Sequence, residues 1–253
     1  MNGKGLTLVL SGGAARCIAH LGVLQALEEE GIKPERISGV SGGAIVGAFY
    51  CNGYGPKDTL EIIKETSVLR ALRPTWSPGL LKLDRAEDLF KKYLKKDTFE
   101  KLDIPLYMAA CTVGKPRTLF FSEGQLIPPL LASCAMPPVF RPIKIDGQFL
   151  ADGGLVNNLP VDPVKDQGKI LGVNVNIVTT NASPDSFARY TEWVLDVVVN
   201  QNIQENIKRC DLFLEPPGLE GFHLTDIGKA DELFAIGYEH TNSRMEKVRE
   251  MMG

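Results

Sequence analysis

Apolar positions along the chain fall into two kinds of run. Leu6-Thr7-Leu8-Val9-Leu10 is an unbroken β-compatible stretch closed by Ser11-Gly12-Gly13, the pattern of a strand buried on both faces. Ile18, Leu21, Val23, Leu24 and Leu27 then recur at helical spacing, Glu28-Glu29-Glu30 forms a solvated end, and Gly31 supplies a C-terminal stop. A second short run, Ile37 to Val40, halts at Ser41, and helical spacing resumes through Ile45, Val46, Ala48 and Phe49 to Asn52-Gly53. A third helix is expected from Pro56 to about Ser67, with Pro56 at its first position. Strand, glycine-rich turn, helix, strand is the opening of a parallel α/β sheet, in which ligands sit at the carboxyl ends of the strands. Both glycine-rich turns fall at that edge.

The pattern then loosens. Residues 68–81 mix Leu69, Leu72, Trp76, Leu80 and Leu81 with Arg70, Arg73 and two prolines, without a period; such a loop either covers the core or closes over a site as a flap. Asp84 to Lys96 reads as an amphipathic helix with Ala86, Leu89, Phe90, Tyr93 and Leu94 inward and the lysines solvated. Pro105 to Val113 and Thr118 to Phe121 read as strands joined at Gly114-Lys115-Pro116, and Gln125 to Cys134 as a helix. Ile143 to Ile145 and Gln148 to Ala151 flank Asp146-Gly147, a strong hairpin signal. Lys169 to Val178 is expected as a buried strand, Phe187 to Ile207 as a long helix, Asp211 to Leu214 as a short strand and Lys229 to about Met251 as a closing helix. Neither a linker nor an internal repeat interrupts residues 1–253, so the expectation is one α/β domain.

Composition narrows the function classes. With 44% hydrophobic residues over 253 positions the chain can bury one sizeable core, and a net charge of -3 gives no global reason to bind nucleic acid. Any membrane contact must be local. No apolar run approaches eighteen residues, and the five or six apolar residues before Ser11 are too few for a signal-peptide core. Five cysteines, odd in number and never in a C-x-x-C pair, argue against a disulfide framework and a zinc site and for a reducing cytoplasm. Nothing in the sequence calls for a metal or a cofactor.

The candidate chemistry centres on Gly39-Val40-Ser41-Gly42-Gly43, which fits the Gly-x-Ser-x-Gly nucleophile elbow. Glycines belong at Gly39 and Gly43 because side chains there would collide with the neighbouring strand or helix. Upstream, the turn Gly12-Gly13-Ala14-Ala15-Arg16-Cys17 enters a helix, where backbone N–H groups point outward with the helix dipole behind them. Downstream, Asp152-Gly153-Gly154 places a carboxylate in a tight turn directly after a strand.

These three motifs, in this order, resemble the patatin-like phospholipases, in particular their compact bacterial type; the resemblance covers Leu6 to about Pro160. It implies a three-layer α/β/α domain with a mainly parallel central sheet. It also implies a Ser-Asp dyad, with Ser41 as nucleophile, Asp152 as proton acceptor and the turn from Gly12 through Gly13 and Ala14 to Arg16 as oxyanion hole. The implied substrate is a lipid acyl ester, met in transient contact with a membrane surface; residues 68–81 have the composition for a phospholipid head group and tail. Ala14 and Cys17 stand where the family pattern has glycines, and alanine penalises positive φ.

Two other readings stay open at this level. His223 and His240 follow Ser41 and several aspartates in the chain order of a Ser-acid-His triad. A binding scaffold whose oxyanion turn is spoiled at Ala14 and Cys17 would keep the same fold. A dinucleotide-binding domain fits poorly, because Gly12-x-x-x-x-Cys17 misses the fingerprint and no acidic residue ends the second strand.

Overall fold

The computed structural model describes residues 5–66, 83–178 and 186–253. The loop read from the sequence at 68–81 lies wholly outside these residues, and so do Arg70, Arg73 and the apolar side chains around them.

The chain opens as its apolar pattern requires. Strand β1 (Leu6–Leu10) is completely buried and leads through a 3-10 turn at Ala14–Cys17 into helix α1 (Ile18–Glu29), which stops before Gly31 at φ 72°. Strand β2 (Pro34–Val40) is followed directly by helix α2 (Gly42–Cys51), buried along its whole length, and then by α3 (Pro56–Thr66) and α4 (Asp84–Tyr93). Strands β3 (Leu106–Thr112) and β4 (Thr118–Phe121) form the expected hairpin; helix α5 (Ile127–Ser133) precedes a second hairpin, β5 (Ile143–Ile145) and β6 (Gln148–Asp152). The Asp146-Gly147 turn between them has positive φ at both residues, 48° and 81°, as the hairpin geometry demands. Strands β7 (Lys169–Val173) and β8 (Leu212–Leu214) complete the sheet, with α6 (Phe187–Gln201), α7 (Gln204–Ile207), α8 (Ala230–Ser243) and α9 (Met245–Met252).

The strands lie in the order β5-β6-β3-β2-β1-β7-β8, with β4 also on β3. Pairing is parallel from β3 through β2, β1 and β7 to β8 and antiparallel where β4, β5 and β6 join. Alternate β1 side chains enter two cores. Leu6, Leu8 and Leu10 join the larger one with residues of α1, α2 and α8, while Val9 joins a second with Leu159, Val161, Ile170 and Ile203. Two apolar layers sandwiching a mostly parallel sheet make this a three-layer α/β/α fold. No helix among the described residues is long and apolar enough to cross a membrane.

Four element boundaries differ from the sequence expectation, and the differences have physical causes. The strand expected from Lys169 to Val178 ends at Val173: Asn174 keeps one backbone bond, to Leu214 O, and beyond it the Asn174 and Asn176 side chains bond within the pair and to Glu215 and Gly12 in place of a ladder. The long helix expected from Phe187 to Ile207 ends at Gln201. Its C-cap Asn202 turns its carboxamide away, accepting from the Asn158 N–H at 2.8 Å and donating to Gly154 O at 2.8 Å. Helix α4 stops at Tyr93 rather than Lys96, with Leu94 buried as the chain leaves it. The closing helix is two helices, broken at Arg244 with φ -110° and ψ 5°.

Candidate active site

The site forms where β1, β2 and β6 end. At the end of β2 the chain reverses at Ser41, which takes φ 52° and ψ -125° and opens α2. That conformation is strained for a residue with a side chain, and the surroundings hold it there. A Cβ at Gly39 would stand 2.8 Å from the Gly43 carbonyl carbon, and one at Gly43 2.5 Å from Ser11 O and 2.6 Å from Leu10 O. Only glycine lets the two strands and the helix approach this closely. The Ser41 N–H donates to Ser133 Oγ at 2.8 Å, and Ser133 in turn donates to Ala109 O at 2.7 Å, a brace from α5 that the sequence motif does not contain.

Strand β3 explains how Asp152, 111 positions downstream, reaches this elbow. Ala109 pairs with Val40 of β2 and Ala110 pairs with Asp152 of β6. Because β4 pairs with Met108 to Cys111 and a β3 edge accepts one partner at a time, β2 and β6 share the opposite edge. Strand β6 therefore takes over that edge where β2 leaves it for Ser41. The next residue, Gly153, is packed so closely that a Cβ would meet Ala109 O at 2.6 Å and Val40 Cγ2 at 3.0 Å.

The Asp152 side chain is fully buried. Oδ1 accepts the Gly154 N–H at 2.8 Å, while Oδ2 has no hydrogen-bond partner among the described residues. Burial pushes the carboxyl up from 3.8 to about 7; the Ser41 hydroxyl and the Gly154 N–H draw it back. The Ser41 hydroxyl is thus near enough to favour the carboxylate by hydrogen bonding, in a geometry looser than a well-formed bond to Oδ2.

The first glycine-rich turn lies beside it. Gly13 has φ 155° and Ala14 φ 48°, so Ala14 adopts the positive φ that its side chain disfavours. The Gly12 N–H donates to Asn158 Oδ1 at 3.1 Å, the Ala15 N–H to Leu224 O at 3.1 Å and the Arg16 N–H to Gly13 O at 3.0 Å. The Gly13 and Ala14 N–H groups have no such partner among the described residues. The Gly12 and Arg16 N–H groups, expected with Gly13 and Ala14 to serve an oxyanion, are thus already committed to protein acceptors. Arg16 turns its guanidinium away from Ser41 into a buried cluster, with Nη1 on Asp196 Oδ1 at 2.9 Å, Nε on Phe222 O at 2.8 Å and Nη2 on Glu192 Oε1 at 3.4 Å. Cys17 is buried against Gly42, and burial pushes its thiol far up, so it packs as a small neutral side chain.

Gly13, Ala14, Ser41, Met136, Asp152, Asn158, Asn176, Leu195 and Val199 line a cavity of about 80 Å³, into which no histidine projects. His20 is buried on α1, with Nε2 2.9 Å from Ser11 O, and burial lowers its pKa to about 4. His223 pairs with Glu192 and Arg189, and His240 lies on α8. Asn158, Asn176, Ser133 and Asp196 complete the constellation and escape the sequence motifs: Ser133, Asn176 and Asp196 enter from stretches distant in the chain, and Asn158 from the irregular segment just after Gly154.

With this geometry in place, comparison defines the class. The patatin-like phospholipase family model matches residues 8–165, and the chain belongs to that family. An uncharacterized NTE family protein of Mycobacterium tuberculosis is 32% identical over 71% of this chain and 51% of its own. Lysophospholipase nte1 of Neurospora crassa is 26% identical over 98% of this chain and 19% of its own. This chain thus spans about half or less of the length of these curated relatives. Among solved structures, VipD from Legionella pneumophila superposes with a TM-score of 0.51 at 15% identity, covering 98% of this chain and 67% of that one. The type III effector ExoU gives 0.51 at 16%, covering 96% and 53%. These likenesses carry the fold.

Proposed function

We propose that this chain is a lipid acyl-ester hydrolase working through an acyl-enzyme on Ser41. Asp152 is the proton acceptor, and the Gly13 and Ala14 N–H groups receive the developing oxyanion. The observation that carries this reading is the shared edge of β3, which delivers a buried carboxylate beside a strained serine in a cavity with uncommitted backbone donors. Family membership and relatives named as lysophospholipases favour lysophospholipids or phospholipids as substrates.

In this reaction Ser41 Oγ attacks the ester carbonyl while its proton passes to Asp152, and negative charge grows on the carbonyl oxygen. Each preorganised donor to that oxygen is typically worth about 3 to 4 kcal/mol in the transition state. Collapse expels the alcohol, protonated by Asp152, and leaves an acyl-serine; water then repeats the sequence and regenerates Ser41. An ordinary carboxylate is a weak base for a serine. One raised to about 7 is better matched to the transfer near neutral pH.

Turnover of a chromogenic acyl ester and of a lysophospholipid tests the proposal. Ser41→Ala and Asp152→Asn are each expected to lose at least about a thousandfold in kcat with folding retained. His223→Ala and His240→Ala stay within a fewfold of the parent. Since Asp152 must be ionised to act, kcat/KM falls about tenfold per pH unit as pH drops below about 7. Equal rates for the parent and Ser41→Ala would refute hydrolysis at this serine, and a large loss in either histidine variant would refute the dyad.

A further inference from the structure

Asn158 follows the catalytic turn, is 1% exposed and lines the same cavity as Ser41 and Asp152. Its carboxamide has a fixed orientation. The Gly12 N–H can only donate, so the acceptor facing it at 3.1 Å must be Oδ1. The Nδ2 group therefore faces away from the oxyanion turn, buried and without a hydrogen-bond partner among the described residues. The backbone is also fixed, because the Asn158 N–H donates to Asn202 Oδ1 and Asn202 Nδ2 donates to Gly154 O, both at 2.8 Å. A Cβ built on Gly154 would stand 2.8 Å from Asn158 Oδ1 and 3.1 Å from Asp152 Oδ1, and one on Gly12 2.8 Å from Asn158 Oδ1 and 2.9 Å from Ser41 Cβ. The three side chains thus enclose one small space.

Two residues lining that cavity each carry a buried polar atom without a partner among the described residues: Asp152 its acceptor Oδ2 and Asn158 its donor Nδ2. Leaving a buried donor unsatisfied costs about 1–3 kcal/mol, so an orphan held at a cavity wall points to a group that arrives during turnover. The oxyanion is already served by Gly13 and Ala14 from another side. What remains is the oxygen that Asp152 must protonate or deprotonate.

Resting on the hydrolase reading above, we propose that Asn158 Nδ2 binds the departing ester oxygen and then the water that replaces it. In the first half-reaction the Ser41 Oγ–carbon bond forms, the Ser41 proton moves to Asp152, and the carbon–oxygen bond to the alcohol breaks as Asp152 returns that proton to the leaving oxygen. Asn158 donates to the leaving oxygen while it carries charge. In the second, a water lone pair attacks the acyl carbon, its proton goes to Asp152, and the acyl–Oγ bond breaks as the proton passes back to Ser41. Asn158 donates to the water's other lone pair and so aims it.

This role has a signature that a purely structural one lacks. A 4-nitrophenolate leaves without help, whereas a glycerol alkoxide needs its charge met as the bond breaks. Measure kcat/KM for 4-nitrophenyl decanoate and for monodecanoyl glycerol, which share an acyl group, on the parent, Asn158→Asp, Asn158→Ala and Asn202→Ala. Asn158→Asp keeps an oxygen for the Gly12 N–H and, assayed at alkaline pH where the buried carboxyl is ionised, removes the donor; Asn158→Ala removes both. The glycerol-to-nitrophenyl ratio is expected to fall about tenfold to a hundredfold in both Asn158 variants and to fall less in Asn202→Ala, which keeps the Asn158 donor and loses only its backbone brace. Acyl-enzyme should accumulate on Ser41 of Asn158→Asp turning over the nitrophenyl ester, read as added mass on the intact protein. A poorly folded fraction lowers both substrates alike and leaves the ratio readable. An unchanged ratio in both Asn158 variants of a Ser41-dependent enzyme overturns the assignment of Asn158 alone. Turnover that survives Ser41→Ala overturns the hydrolase reading, and this inference with it.

Discussion

Two turns end neighbouring parallel strands at the same sheet edge, and each forces a residue with a side chain to positive φ: 48° at Ala14 after β1 and 52° at Ser41 after β2. They are held by different means. The elbow at Ser41 is closed mainly by backbone contact, with Gly39 against Gly43 and Gly43 against the end of β1, and among the described residues one side chain, Ser133, reaches in to bond the Ser41 N–H. The turn at Ala14 is held by side chains from far along the chain. Asn158 takes the Gly12 N–H, Asn176 donates to Gly12 O at 2.6 Å, Ser11 Oγ accepts the Val175 N–H, and Asp196 and Glu192 hold Arg16. The Ser41 turn is thus closed by glycine backbone, and the Ala14 turn is shaped by side chains around it.

The largest test of this contrast removes the remote support. Arg16 is 3% exposed, and its partner Asp196 is a buried acid whose pKa burial already raises. Arg16→Met would leave that carboxylate without its cation, and breaking one side of a buried pair typically costs about 3–5 kcal/mol. Urea unfolding should register a loss of that order. Activity should fall as well, because the guanidinium also ties helix α6, which carries Leu195 and Val199 of the cavity wall, to the turn. A loss under about 1 kcal/mol would mean that the turn stands without its distant partners.

The same contrast explains how much was legible in the sequence. Strands β1 and β2, the elbow and the helices α1 to α3 follow from local apolar period and glycine placement, and the structure has them within a few residues of the expected bounds. The motifs also marked Ser41 and Asp152. What they could not carry was which N–H groups of the first glycine-rich turn stay uncommitted, since the Gly12 N–H is occupied by a residue 146 positions away. Nor did period reveal that α6 ends at Asn202, because the cause is a tertiary pair of hydrogen bonds to Asn158 and Gly154. A local pattern records local physics.

A Cβ at Gly43 probes the elbow in the corresponding way. It would press on the carbonyl oxygens of Ser11 and Leu10 at 2.5 and 2.6 Å, both backbone atoms of a central strand and its exit. Gly43→Ala is expected to cost about 3 kcal/mol, at the upper end for overpacking, and to abolish Ser41 turnover. Gly228→Ala, whose Cβ would meet no atom within 4 Å and whose φ, like that of Gly43, is not positive, is the control for adding a methyl group without a clash. If the two variants unfold alike, steric closure of the elbow is not what holds it.

Ser133 is the exception on the elbow side, a distant hydroxyl that accepts from the Ser41 N–H and donates to Ala109 O. Ser133→Ala leaves one buried donor and one buried acceptor without a partner, at a cost of about 1–2 kcal/mol. With the backbone contacts intact, kcat should fall by no more than about tenfold. A collapse of activity comparable to Gly43→Ala would place Ser133 on equal footing with the glycines and erase the distinction between the turns.

The smallest effect separates strain from support at Ala14. Its φ of 48° disfavours any residue with a Cβ, and replacing it with glycine removes that strain while enlarging the freedom of the unfolded chain. The two terms oppose each other, each worth about 1 kcal/mol or less, so the melting temperature of Ala14→Gly should lie within about 3 °C of the parent. The catalytic consequence follows from how the turn is held. Because Asn158, Asn176 and the Arg16 cluster fix the backbone on both sides of Ala14, the N–H should keep its direction whichever side chain it carries. Turnover of a soluble ester by Ala14→Gly should then stay within twofold of the parent. A gain of tenfold would mean that the methyl group holds the N–H out of line, and a loss of tenfold that the methyl, rather than the surrounding amides and ion pair, fixes the turn.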